Sequence, residues 1–281
     1  MPDYEKLKKL ATQVRRDIVR MVHGAKSGHP GGSLGSTDFL VALYFEIMKH
    51  DPEKFSIDGI GDDIFILSNG HISPAFYSVL ARSGYFDIKE LESFRKLDSR
   101  LQGHPSVHEN LPGIRMASGS LGQGLSAGIG AAQAKRLNND DRLVYVLTGD
   151  GELEEGQIWE AALYASSHKV DNIIVTVDYN GKQIDGPVEE VMPLGDLKAK
   201  WEAFEWKVLE MDGHNMEEVV ETLQFAKENT GQGRPIIILM RSIMGFGVDY
   251  MMDKHEWHGV PPNDEETEIA LSQLEETLGD Y

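Results

Sequence analysis

The sequence predicts an α/β fold, a three-layer sandwich with a mainly parallel central sheet flanked by helices. Three observations carry that prediction. Short apolar runs rich in β-branched residues recur at Ile64 to Leu67, Leu143 to Leu147, Ile173 to Val177 and Ile236 to Met240, as expected of strands buried on both faces. Helical patterns lie between them, at about 73–82, 122–137, 156–168, 196–203 and 216–229. Such alternation builds a parallel sheet with helices on both sides, and 281 residues are enough to bury its core.

The chain opens with apolar residues at Leu7, Leu10, Ala11, Val14, Ile18, Met21 and Val22, the spacing of an amphipathic helix from about residue 4 to Gly24. Residues 27–35, SGHPGGSLG, hold four glycines and a proline, a composition expected in a turn and not inside a helix. A second helix is expected to begin with Ser36 or Thr37 as its cap and to run through Ile47. Val208 to Met211 reads as a weaker fifth strand, residues 245–264 as a long loop, and 264–278 as a final acidic helix.

Composition narrows the function. Twenty-seven basic residues against 46 acidic ones give a net charge of −19, which opposes binding to a nucleic-acid backbone. The absence of cysteine excludes a disulfide scaffold, a thiolate zinc site and a thiol nucleophile. MPDYEKLKKL lacks the apolar centre of a secretory signal, and no stretch approaches the roughly 20 apolar residues of a membrane span. A cytoplasmic protein acting on neither nucleic acid nor membrane is the expectation.

In open parallel sheets ligands bind beyond the carboxyl ends of the strands, and here those ends are polar. Ser68-Asn69-Gly70-His71 follows the first strand, Gly149-Asp150-Gly151 the second and Asp178-Tyr179-Asn180-Gly181-Lys182 the third. The Asp150 carboxylate, the Asn180 amide oxygen and a main-chain carbonyl near Lys182 are hard ligands suited to Mg²⁺ or Ca²⁺; a tight turn with a polar tip has the same sequence. Gly119-Ser120-Leu121-Gly122-Gln123-Gly124 opens a helix of small residues, so its N–H groups are expected to seat a diphosphate. Gly122, Gly124 and Ala127 also match a dinucleotide fingerprint, but LPGIRMAS precedes them where a strand should. His29, His71, His104 and His258 each sit beside glycine or proline, able to donate to phosphate or sugar hydroxyls and to relay protons.

Taken in order, SGHPGG, SNGH, GHP, GSLGQG, GDGELEEG, DYNGKQIDG, DGH, GFG and HG resemble the N-terminal, diphosphate-binding part of transketolase, and the resemblance covers nearly the whole chain. It implies the thiamine-diphosphate-binding fold, with residues 1–281 as a single diphosphate-binding (PP) domain and the pyrimidine-binding and C-terminal domains absent. It implies thiamine diphosphate and Mg²⁺ as cofactors, with Ca²⁺ or Mn²⁺ as substitutes, the metal held by Asp150, Asn180 and the Lys182 carbonyl. Cofactor contacts would come from His71, Gly119, Ser120, Leu121, Gly149, Asp150, Gly151, Asn180, Ile184 and His258. His29, His104, His258 and Glu155 would serve catalysis, Glu155 in a network joining two cofactor sites. Ser120 stands where the family commonly has proline. The glutamate that activates the cofactor belongs to the missing domain, so a separate C-terminal subunit is expected, in an α2β2 assembly that transfers two-carbon ketol units between sugar phosphates. The α subunit of a 2-oxoacid dehydrogenase, deoxyxylulose-phosphate-synthase-like chemistry and a non-catalytic thiamine-diphosphate-binding protein are the alternatives.

Overall fold

The computed structural model describes residues 2–281. Its centre is a five-stranded sheet of β1 (Ile64–Leu67), β2 (Val144–Gly149), β3 (Ile173–Tyr179), β6 (Lys207–Asp212) and β7 (Ile236–Arg241), in the order β1-β2-β3-β7-β6. Every pairing is parallel. A two-residue pair, β4 (Lys182–Gln183) and β5 (Gly186–Pro187), forms a small hairpin beyond the end of β3, followed by a single helical turn, α7 (Val188–Val191).

Alternation along the strands sends successive side chains to opposite faces. Phe65, Leu67, Tyr145, Leu147, Ile174, Ile236 and Ile238 enter one core, shared with α1 (Tyr4–Ala25), α3 (Thr37–Ala42), α4 (Ser73–Arg82) and α9 (Met216–Glu228). Ile64, Ile66, Val144, Val146, Ile173, Val175, Val177, Ile237 and Leu239 enter the other, under α5 (Gln123–Leu137), α6 (Gly156–Ser167) and α8 (Leu197–Ala203). The weakness of the fifth strand signal now has a cause. β6 is one of the two edge strands and, unlike the fully buried edge strand β1, is half-exposed, so it needs fewer apolar residues. Among the described residues no helix is long and apolar enough to cross a membrane.

Two expectations fail. Pro30–Gly35, inside the glycine-rich segment, is a short helix, α2. Pro30 occupies the first turn, where a missing N–H costs nothing, and packing overrides the poor propensity of glycine. A Cβ on Gly31 would lie 2.6 Å from Met244 Cγ and 2.8 Å from the Trp257 carbonyl, and one on Gly35 would lie 2.9 Å from the Ile243 carbonyl. The next helix does start at Thr37, but Ser36 makes no side-chain capping bond, and its last turn, Leu43–Ile47, widens to π geometry.

The acidic helix is also shorter than expected. It forms α10 (Asp264–Gln273), held at its start by a capping box of Asn263 and Glu266, and the following residues turn back along α1. Arg16 Nη1 donates to the Leu271 and Leu274 carbonyls at 2.9 and 2.5 Å, while Gln13 Oε1 accepts from the Thr277 and Leu278 N–H groups. Arg16 Nε and Nη2 then grip Asp280 at 2.9 and 2.7 Å, and Gln13 Nε2 adds a third bond. Those arginine contacts end the helix by offering its carbonyls a better donor than solvent.

Two outcomes are expected. Gly31→Ala overpacks a site with no room and lowers stability by about 1–3 kcal/mol, whereas Gly130→Ala, in the open interior of α5, raises it by about 0.5–1 kcal/mol; urea titrations of the two variants should move in opposite directions. The hydrogen bond from Arg16, foremost, draws the Asp280 carboxyl from its ordinary 3.8 down to about 2. A carboxyl lowered on folding contributes stability above its unfolded value and loses it as pH falls through its folded one. The cluster is partly open to solvent, so Asp280→Asn should remove about 1 kcal/mol at pH 7. Its unfolding curve should converge on the parent's between pH 3.8 and 2.

Candidate active site

Because the sheet is parallel, the loops after β1, β2, β3 and β7 all emerge at one edge, and they meet there around a cavity of about 230 Å³. Asn69 and His71 come from the turn after β1, Gly149 to Glu152 from the turn after β2, and Asp178 and Asn180 to Ile184, excepting Gly181, from the end of β3. Met244 follows β7. His29 and Gly32 enter from the start of α2, His104, Gly119 and Leu121 from the segment between α4 and α5, and His258 from the late loop.

Asp150 is buried, and its two oxygens accept one hydrogen bond each, from Gly151 N at 2.8 Å and Gly181 N at 2.5 Å. Burial first, and the neighbouring Asp178 second, push its carboxyl up to about 7. Such a shift marks a carboxylate short of positive charge. Asn180 is fixed in both directions: its amide nitrogen donates to Asp178 Oδ2 at 3.0 Å and its oxygen accepts from Lys182 N at 2.8 Å. Asp178, in turn, accepts from Ser242 Oγ, and burial raises its carboxyl as well.

Among the described residues no three His, Cys, Asp or Glu side chains group as a metal centre. A cation here would rest on the Asp150 carboxylate, the Asn180 amide oxygen and the Lys182 carbonyl, with a ligand's oxygens and water completing the shell. This all-oxygen set fits Mg²⁺, which keeps several positions for phosphate and water. The charge shortage at Asp150 fits a divalent ion too.

Four imidazoles form the opposite wall. His29 lies 5.1 Å from His71, 5.6 Å from His258 and 6.2 Å from His104, ring centre to ring centre, and His71 lies 4.9 Å from His258. Burial, with His258 next, lowers His29 to about 4, and burial likewise holds His71, His104 and His258 below the ordinary histidine value. They are therefore neutral at pH 7, each with one donor and one acceptor nitrogen. His29 Nδ1, His258 Nδ1 and Asn69 Oδ1 are buried without any hydrogen-bond partner in the protein. Unpaired buried polar atoms of this kind suit a hydroxylated or phosphorylated ligand.

The glycine-rich helix start behaves differently from its sequence reading. Glu152, buried beneath it, accepts from Gly122 N at 2.7 Å, from Gly149 N at 3.1 Å and from Ser68 Oγ, which itself accepts from Gly124 N at 3.1 Å. The N–H groups at Gly122 and Gly124 are thus capped from within by a carboxylate and a hydroxyl, and do not seat a diphosphate. Glycine is required at both positions for packing: a Cβ on Gly122 would lie 2.9 Å from Glu155 Cβ, and Gly124 packs against Ser68. Leu121 and Gly119 do reach the cavity, Gly119 against the His104 ring. Ser120 and Glu155 are exposed and do not line it. Ile184 stands at the rim, 63% exposed.

Sequence reasoning missed Asn69, Glu152, Asp178, Gln183, Met244 and Gly32 among the lining residues. Asp178 had a visible signal, a carboxylate inside an apolar strand, IIVTVDY. Glu152 had none, since GELEEG offers three similar acids.

The fold and cavity define an α/β protein whose candidate ligand site lies where the strands end, between an oxygen-rich floor and a neutral imidazole wall. Residues 7–279 match the family described as transketolase, thiamine diphosphate binding domain. The 6-deoxy-6-sulfo-D-fructose transketolase subunit of Clostridium sp. (strain MSTE9) is 39% identical over 94% of both chains. An apulose-4-phosphate transketolase subunit of Actinobacillus succinogenes is 36% identical over 97% of both. Transketolase from Campylobacter jejuni superposes with a TM-score of 0.88 at 33% identity, over 98% of this chain but 43% of that one. The chain belongs to the transketolase family, to the part that binds thiamine diphosphate.

Glu152→Ala would leave Gly122 N, Gly149 N and Ser68 Oγ buried without an acceptor, and each such group costs about 1–3 kcal/mol. Thermal unfolding should show that variant losing at least about 3 kcal/mol, while Glu155→Ala, at an exposed position, stays close to the parent.

Proposed function

We propose that the chain is the cofactor-binding subunit of a two-chain transketolase that transfers a two-carbon ketol unit between sugar phosphates. The buried, charge-deficient Asp150 beside the oriented Asn180 oxygen carries this reading. Two subunit-named relatives that match over 94% and 97% of their own lengths support the two-chain arrangement. A second subunit would supply the glutamate that activates the cofactor, in an α2β2 assembly.

Within the site, Asp150, Asn180 and the Lys182 carbonyl would hold Mg²⁺, with Ca²⁺ or Mn²⁺ able to replace it. His71 and the Gly149-Asp150-Gly151 turn would bind the diphosphate. Leu121, Gly119 and Ile184 would pack on the cofactor's rings. Bound there, thiamine diphosphate supplies the nucleophilic carbon that takes up and hands on the ketol unit. His29 and His104, neutral at pH 7, would bind sugar hydroxyls, and with His258 they would accept the proton of a hydroxyl through a free ring nitrogen. Ser120 and Glu155 face outward, so Glu155 would act at the subunit boundary rather than in this cavity.

Ketol transfer from xylulose 5-phosphate to ribose 5-phosphate, with 6-deoxy-6-sulfo-D-fructose as an alternative donor, should require both this chain and the second subunit. Turnover by this chain alone would overturn the two-chain reading. Asp150→Ala should bind Mg²⁺ and thiamine diphosphate at least about a hundredfold more weakly, as loss of one charged ligand from a small oxygen set implies. Cofactor affinity equal to the parent's would remove Asp150 from the metal site.

A further inference from the structure

The cavity is lined by three carboxylates, Asp150, Glu152 and Asp178, and among the described residues lining it Lys182 is the only lysine or arginine. A diphosphate brings more negative charge than one divalent cation offsets once those carboxylates are counted. The position of the Lys182 ammonium therefore matters. It rests 3.1 Å from Asp253 Oδ1, with the lysine side chain 19% exposed and that of Asp253 72% exposed. Asp253 is fixed in the left-handed region, φ 58°, and its N–H donates to the Met244 carbonyl at 2.9 Å. Lys182 thus reaches from the β4–β5 hairpin to the turn that also places Met244 in the cavity wall.

An ion pair with one partner this exposed contributes little, so the ammonium is held where it is only weakly. A phosphate oxygen within a partly enclosed cleft is a stronger partner, because charge-assisted hydrogen bonds gain as water is excluded. Building on the cofactor reading above, we propose that the Lys182 side chain is a diphosphate ligand: its ammonium leaves Asp253 and donates to a diphosphate oxygen when the cofactor enters. The residue then acts twice, its carbonyl on the metal and its ammonium on the phosphate. Asp253 is the resting partner that keeps the ammonium beside the cleft.

Titration calorimetry of the full chain with thiamine diphosphate at saturating Mg²⁺ tests this, with thiamine as the unphosphorylated control. Lys182→Met should weaken thiamine diphosphate binding by about tenfold or more and flatten its salt dependence, the effect of losing one charge-assisted contact. Lys182→Arg should restore most of the affinity. Asp253→Asn should tighten binding about threefold by removing the competitor. Thiamine itself should bind all four proteins alike. Unchanged thiamine diphosphate affinity in Lys182→Met would overturn the proposal, and so would an equal loss of thiamine and thiamine diphosphate, which would make the lysine a packing residue. If the parent binds no thiamine diphosphate and Asp150→Ala behaves identically, the cofactor reading fails as well; a parent that binds, with an Asp150→Ala variant that does not, keeps the two apart.

Discussion

Burying carboxylates at the ends of parallel strands is the constraint around which this molecule is organised. Asp150, Asp178 and Glu152 lie within one small region, each 2% exposed or less, where an isolated charge would be very unfavourable. The surrounding sequence answers each one differently. Glu152 is surrounded by main-chain and hydroxyl donors and becomes structural. Asp178 is satisfied by Ser242 and Asn180, and so orients the amide beside it. Asp150 receives only two main-chain donors and stays deficient, which leaves it the natural place for a cation. Of the three, Asp150 is where the protein's own compensation is least complete.

That arrangement explains why the glycines cluster as they do. Helix α2 and the start of α5 approach the strand ends so closely that side chains would collide with Met244, Trp257, Ser68 or Glu155. Close approach brings His29 within reach of His71 and His258 and lets Glu152 cap the first turn of α5. In this protein the glycine-rich segments serve chiefly as packing surfaces, and the turns after β1, β2 and β3 supply the polar lining of the cavity.

Much of this was legible beforehand. Strands buried on both faces declare themselves in IFIL, LVYVL, IIVTV and IIILM, and the polar residues that follow mark the ligand edge because parallel topology leaves no other place for them. Asp150, Asn180 and His71 were identifiable for that reason, while His29, His104 and His258 stood out by their glycine or proline neighbours. What the residues alone did not show depends on tertiary proximity. A glycine-rich hexapeptide reads as a turn until its close neighbours are known, and N–H groups at a helix start read as an anion seat until a buried glutamate is found beneath them. Ser120 and Glu155 sit in the same motifs as true lining residues yet are exposed, a distinction set by the bends just before α5 and α6.

The cavity wall draws on residues from His29 to His258, carried by loops that are distant in sequence. Contacts with such large separations can form only once the long loops between them are closed. Any ligand of the cavity therefore recognises the completed topology, and its binding energy is added to the global unfolding free energy in proportion to RT ln(1 + [L]/Kd). In a cell the supply of that ligand would set how long the chain survives proteolysis, so that abundance of the protein would follow abundance of what it binds.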